Sequence, residues 1–175
     1  MTLAGIAALF AARGHETYGE GVSQAEHAVQ CATLARDAGE PPAMIAAALL
    51  HDLGHLIAGH GGSDGGGAHE AVGARALARC FGASVWRPVA LHVAAKRWLC
   101  AVDLAYAAAL SAESQRSLVR QGGAFDATAA AAFARLPDAA AAIRLRRYDD
   151  AGKADGPPAA AFADFLPMLQ ALTLR

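Results

Sequence analysis

Cysteine is scarce in this sequence. Cys31, Cys80 and Cys100 stand alone in 175 residues, with no CxxC spacing. That excludes a zinc-finger framework and gives no disulfide set. Reduced thiols in helices, in a cytoplasmic setting, are expected instead. Charge of one sign is lacking too. Fifteen Lys and Arg face sixteen Asp and Glu, for a net charge of −1. No basic field points to nucleic acid, and no polybasic segment points to a membrane surface. A long apolar run is also missing. MTLAGIAALFAARGHE is too short to span a bilayer, and its apolar part precedes any positive charge. A signal peptide has the reverse order, so a first core helix is expected there. Neither a repeat at solenoid periods nor an alternating strand pattern is present.

What the chain has is alanine. Hydrophobic residues make up 55% and charged residues 18%, and alanine runs supply much of the first figure. This is a helix-forming composition, and the length suits one domain with its own core. Helices are predicted at about 2–13, 23–38, from 41–42 onward, and at 69–81. Further ones are predicted from Ser84 through Lys96, then at 101–110, 112–121, 127–135, 138–149 and 160–172. Ser23 and Glu26 fit a capping box, and Ser84 is the expected cap of the helix holding His92. GHGGSDGGGA, residues 59–68, reads as a surface loop. The predicted fold is a single all-α domain. Alanine-rich helix faces could pair two copies, but nothing here fixes an oligomeric state.

Polar chemistry intrudes in LLHDLGH, residues 49–55, near the end of the third predicted helix. Helical neighbours point about 100° apart, so His51 and Asp52 can flank one buried ion. Two carboxylate oxygens allow Asp52 to bridge two metals, whereas a histidine serves one. A polar pair bonded to loop backbone at a helix end is the simpler alternative. Other residues alter that balance. His27, His69 and His92 lie on the neighbouring predicted helices, and RRYDDAGK offers Asp149. Nitrogen and oxygen donors without a thiolate suit two borderline metals with open sites better than a closed structural zinc. His55 is four residues after His51, and Lys96 is four after His92, so each lies on its partner's helix face.

His27, the pair His51-Asp52, and Asp149 match the H…HD…D pattern of the HD-domain superfamily, and His69 and His92 match its dinuclear branch. YGEGVSQAEHAVQCA, AALLHDLGH, LHVAAKRWLCAVDLAY and IRLRRYDDAGK resemble the phosphonate-degrading HD-domain oxygenases. These are similar in site design to myo-inositol oxygenase. The resemblance covers about residues 18–153. It implies a mixed-valent Fe(II)/Fe(III) pair held by His27, His51, Asp52, His69, His92 and Asp149, with Asp52 as the bridge. Dioxygen is the implied co-substrate. Asp149 is preferred to Asp150 because it stands four before Lys153, as in the family's D-x-x-x-K ending; Asp150 is then a solvated charge. His55 and Lys96 are the implied phosphonate-binding residues, helped by Ser114. Tyr18 is the implied iron cap and Glu20 the partner of a substrate ammonium. Here the chain departs from its relatives, with Tyr18-Gly19-Glu20 in place of Tyr-x-x-Glu and Thr17 at the expected tyrosine place.

The implied activity is oxidative cleavage of the C–P bond of a small 1-hydroxyphosphonate. The substrate is 2-amino-1-hydroxyethylphosphonate or its N-trimethyl analogue, releasing phosphate with glycine or glycine betaine. A metal-dependent phosphohydrolase acting on a nucleotide or small phosphomonoester is the rival, since it shares the metal core but needs no dioxygen. A non-catalytic sensing module is disfavoured because no ligand position is lost. His15 and His60 are expected at the surface, and Trp86, Trp98, Phe125 and Phe162 as core or partly buried anchors.

Overall fold

The computed structural model describes residues 1–17, 21–58, 69–154, 156 and 158–174. The fold is all-α, as predicted. α1 (Leu3–Arg13) opens after Thr2, whose side chain accepts from the Gly5 N–H. α2 (Gln24–Asp37) starts at the capping box. Ser23 Oγ accepts from the Glu26 N–H at 3.3 Å, and Glu26 Oε2 accepts from the Ser23 N–H at 2.8 Å. Two otherwise orphaned amide donors are thereby satisfied.

α3 (Pro42–Leu50) uses proline in its first turn, where no amide donor is needed. Every residue from Met44 to Leu50 is buried, so this helix is the axis of the core. Each leucine or isoleucine hidden there contributes roughly 1.5–3 kcal/mol. The predicted third helix does not run through the HD pair. His51 and Asp52 form a turn, and α4 (Leu53–Ala58) begins after it. Two causes are visible. His51 Nδ1 donates to the Ala48 carbonyl at 2.9 Å, so a side chain occupies a helix acceptor. Gly54 also lets α4 lie directly against α5 (His69–Leu77), since a Cβ on Gly54 would fall 1.9 Å from the His69 carbonyl oxygen.

α5 ends before the predicted Phe81, because the chain turns there to pair Phe81 with Thr173 in an isolated bridge. α6 (Ala83–Val102) is capped by Gly82 backbone without a side-chain bond. Ser84 is therefore not its cap; it lies exposed in the first turn. α7 (Leu104–Ala109), α8 (Ala112–Arg120) and α9 (Ala127–Ala134) are capped by Asp103, Ser111 and Asp126, whose short side chains suit that place. α10 (Ala139–Ala151) reaches two residues beyond the predicted end. A 3-10 turn at Phe162–Phe165 leads into α11 (Leu166–Leu172).

α6 packs against α3, α5 and α10, and α2 covers α3 from the other side. The main core gathers α1, α2, α3, α4, α5, α6, α10 and α11. A smaller cluster of Ala95, Phe133, Ala139 and Ala142 joins α6, α9 and α10. The four aromatic anchors are half-buried, Trp86 and Phe162 against the first cluster, Trp98 and Phe125 against the second. No helix among the described residues is long and apolar enough to cross a membrane.

Candidate metal centre

Five elements deliver six polar side chains to one point in the core. His27 comes from α2, His51 and Asp52 from the turn after α3, His69 from the first position of α5, His92 from the middle of α6, and Asp149 from the last turn of α10. His27, His51, His92 and Asp149 are almost wholly buried. Asp52 stands between two sets of donors. Its Oδ2 lies 3.9 Å from His27 Nε2 and 3.5 Å from His51 Nε2; its Oδ1 lies 3.6 Å from His69 Nε2 and 3.8 Å from His92 Nε2. Asp149 belongs to the first set, with Oδ1 at 3.4 Å from His27 Nε2 and Oδ2 at 3.7 Å from His51 Nε2. Within each set the paired histidine nitrogens are 3.3 and 3.2 Å apart. Ligand atoms around one ion bonded at about 2.0–2.2 Å stand roughly 3–4 Å from one another. The spacing therefore suits two cations that share Asp52.

The outer ring nitrogens explain which nitrogens face inward. His27 Nδ1 donates to the Gly152 carbonyl at 2.8 Å, His51 Nδ1 to Ala48, and His92 Nδ1 to Val89 at 2.8 Å. Each bond fixes the tautomer and leaves a bare Nε2 lone pair aimed at its neighbours. Lone pairs facing lone pairs and carboxylates repel unless positive charge lies between them. The titration of the cluster shows the same demand. Burial alone would lower His51, yet the Asp52 and Asp149 carboxylates raise it to about 9. Burial, with the charges of His55 and His51 beside the other pair, drives His69 well down and His92 to about 4. Despite burial, Arg146 and the histidines hold Asp149 well below the usual carboxylate range.

Two further groups approach. Cys31 Sγ lies 3.7 and 3.8 Å from the ring nitrogens of His27, one turn along α2. It joins His27 and His51 in a possible three-donor set, as His55 joins Asp52 and His69. The oxygen-rich alternative is better placed, because Asp149 lies 3.4 and 3.7 Å from the two inward nitrogens, whereas Cys31 comes no nearer than 3.7 Å to His27. The His55 ring stacks on that of His69 at 4.0 Å between centroids.

The cluster opens into a cavity of about 170 Å³ whose wall sets Lys96, Arg120, Arg146 and Lys153 beside the carboxylates Asp52, Glu113 and Asp149. Lys96 is only 2% exposed, and its Nζ donates to Ser117 Oγ at 2.7 Å. Ser117 in turn donates to the Ser114 carbonyl at 3.0 Å, and Lys153 Nζ donates to Ser114 Oγ at 3.0 Å. Burial, followed by the charge of Arg146, pushes Lys96 down to about 8. His55, Arg120 and Gln121 complete this side. Sequence reasoning did not single out Ser117. It stands three residues after Ser114, so helical spacing was a usable signal. Tyr18, Glu20 and His60 lie outside the described residues, and His15 is exposed.

Asp150 is not the solvated charge expected of it. α10 extends past it, placing it half-buried one turn after Arg146. Tyr106 Oη donates to Asp150 Oδ2 at 2.6 Å, and Arg146 pairs with Asp150 through both Nε and Nη2. Arg146 is itself buried, and its Nη1 donates to Asp149 Oδ2 at 2.6 Å. A bidentate guanidinium thus ties the metal-facing aspartate to a polar anchor behind it.

Known proteins resemble this chain over most of its length. The HD domain family model matches residues 25–118. The hydroxymethylphosphonate dioxygenase of Gimesia maris is 42% identical over 148 residues, which is 82% of this chain and 74% of that protein. The [1-hydroxy-2-(trimethylamino)ethyl]phosphonate dioxygenase (glycine-betaine-forming) of Leisingera caerulea is 39% identical over 170 residues, covering 94% and 87%. An uncharacterized protein of Acanthamoeba polyphaga mimivirus, L432, is 33% identical over 146 residues, covering 80% and 67%. Likeness at that level, running from the capping box before His27 to beyond Asp149, settles the assignment: the chain belongs to the HD-domain superfamily and, within it, to the phosphonate-degrading oxygenases.

Proposed function

We propose that this chain is a diiron oxygenase that uses dioxygen to cleave the C–P bond of a small 1-hydroxyphosphonate. The observation that carries the proposal is Asp52, with one oxygen toward His27 and His51 and the other toward His69 and His92, beside a cavity that Lys96 and Lys153 line. His27, His51, Asp149 and Asp52 would hold one iron; His69, His92 and Asp52 would hold the other. The mixed-valent pair, when bound, supplies dioxygen activation and Lewis-acid polarisation of the substrate hydroxyl.

The chain's own residues bind, orient and shield. Lys96, Lys153, Ser114 and His55 meet the phosphonate dianion, for which charge-assisted hydrogen bonds are the strong form of contact. Lys96 is held in place by Ser117, so its ammonium is aimed before substrate arrives. Arg146 keeps Asp149 turned toward the histidines. Tyr18 would cap an iron and Glu20 would receive a substrate ammonium, the roles that the family resemblance implies.

Hydrolysis of a C–P bond would expel a carbanion, whereas oxidation at the hydroxyl-bearing carbon removes that obstacle. Carboxylate and phosphate together contain two more oxygen atoms than the 1-hydroxyphosphonate. One dioxygen per turnover therefore closes the balance without another reductant. The proposed substrates are 2-amino-1-hydroxyethylphosphonate, giving glycine, and its N-trimethyl analogue, giving glycine betaine. The name of the Gimesia maris relative favours a second candidate, hydroxymethylphosphonate, which has no cation for Glu20.

The test is phosphate release from all three compounds by iron-loaded protein, with dioxygen uptake measured in parallel. Equal uptake and release are expected. Release that continues under strict anaerobiosis would overturn the oxygenase reading in favour of the phosphohydrolase. A rate advantage for hydroxymethylphosphonate would overturn the aminophosphonate assignment alone.

A further inference from the structure

Three of the four inward-facing histidines give their outer N–H to a backbone carbonyl: His27 to Gly152, His51 to Ala48, and His92 to Val89. His69 differs. Its Nδ1 faces a carboxylate, Glu70 Oε2, at 3.5 Å. That oxygen is buried and has no hydrogen-bond partner among the described residues, although the Glu70 side chain retains 21% exposure. A buried carboxylate oxygen left without a donor costs stability, and such an atom in a folded protein calls for a reason.

The charges of the two donor sets suggest that reason. The first set carries two carboxylates, Asp149 and Asp52 Oδ2. The second carries only Asp52 Oδ1 beside its two histidines. A carboxylate that accepts the outer N–H of a metal-bound imidazole makes that ring a stronger donor.

We infer that Glu70 is a positioning residue for the second metal, accepting the His69 Nδ1–H and supplying through that ring the negative charge the second donor set lacks. The inference rests on the diiron reading above. The other sets of ring bonds fix tautomer and orientation only, because a neutral carbonyl accepts them. Glu70 adds charge as well, so it brings the second donor set closer to the first.

The experiment compares wild type, Glu70→Gln and Glu70→Asp by iron titration and by EPR of the half-oxidised protein. Wild type should bind two irons and give a mixed-valent signal. Glu70→Gln keeps the shape but loses the charge. It should weaken the second iron roughly 10–100-fold while the first stays bound, shift the g values, and move the midpoint potential to a more positive value. Glu70→Asp should recover part of each change. Two irons bound with wild-type affinity and an unchanged spectrum in Glu70→Gln would overturn the inference while leaving the diiron reading intact. So would equal weakening of both irons, which a merely structural role would give. A wild-type protein that holds one metal would overturn the diiron reading and the inference together.

Discussion

His92 and Lys96 stand one helical turn apart on α6, and burial prepares them for opposite tasks. His92 is driven down to about 4 and stays neutral, as the ligand role proposed for it requires; Lys96 falls only to about 8 and stays charged near neutrality. Replacing His92 with alanine should leave at most one iron firmly bound. Metal analysis after gel filtration checks this, and two tightly held irons would show the donor set to be wrong. Lys96 predicts a pH limb. Below pH 8 its ammonium is present and the phosphonate is held. As pH rises through about 8 the charge is lost, so kcat/KM should fall, with KM rising rather than kcat falling. The stability effect has the opposite sign. The unfolded lysine keeps its proton up to about 10.5, so stability from this group rises between pH 8 and 10.5. Arg146 and Lys153 push this lysine down and Asp149 and Asp150 pull it up, so its limb reports the whole wall. Lys96→Arg should move the limb out of range, and Lys96→Ala should raise KM about 10- to 150-fold, equivalent to losing a charged hydrogen bond of roughly 1.5–3 kcal/mol. At this scale the sequence was informative where helical spacing carried the signal, as for His92 with Lys96 on α6, whereas the turn at His51 and Asp52 interrupts the helix that the spacing of His51 and His55 assumed. It was silent on Arg146 with Tyr106, 40 residues apart, because only tertiary packing brings them to 3.1 Å.

Between elements, the closest approach that bears on the site is α4 against α5. Gly54 makes it possible, and the helix that meets it begins at His69. Gly54→Ala would force the two helices apart. A loss of about 1–3 kcal/mol is expected for such overpacking, together with loss of the second iron before the first. Urea denaturation and iron titration of the same variant check the two halves of that prediction. The helices themselves were legible from capping residues, proline positions and apolar spacing. The interruption at His51 and Asp52 was not. A continuous helix and a helix–turn–helix share the same apolar period over LLHDLGHL, and the His51 bond to the Ala48 carbonyl and the contact with His69 decide between them. Ser84 shows the converse, since a good capping residue is passed over when Gly82, two places earlier, is where the backbone turns.

For the whole molecule, the proposed metals would tie together segments from α2 to α10. Removing them with a chelator should lower Tm without unfolding the protein at 25 °C, because the core around α3 is independent of the donors. Each iron held at 100 times its Kd contributes about 2.7 kcal/mol, and 1 kcal/mol is worth about 2–4 °C at this size. A fall of roughly 10–20 °C by calorimetry for the two irons together, with the helical circular dichroism retained at 25 °C, is the expected result. The all-α architecture was legible from composition and the absence of strand patterns. How α2 meets α10 was not, since it depends on Gly152, where a Cβ would fall 2.4 Å from Cys31 Sγ. That junction also sets an order of events. The carbonyl that fixes the His27 tautomer belongs to Gly152, 125 residues further along the chain. An unfolded chain cannot offer His27 that acceptor, so metal does not nucleate this fold as it does in small zinc modules. On the diiron reading, folding would come first and iron would enter a finished cage. The demetallated protein should therefore be a stable, reloadable precursor whose activity in a cell is set by iron supply after synthesis is complete.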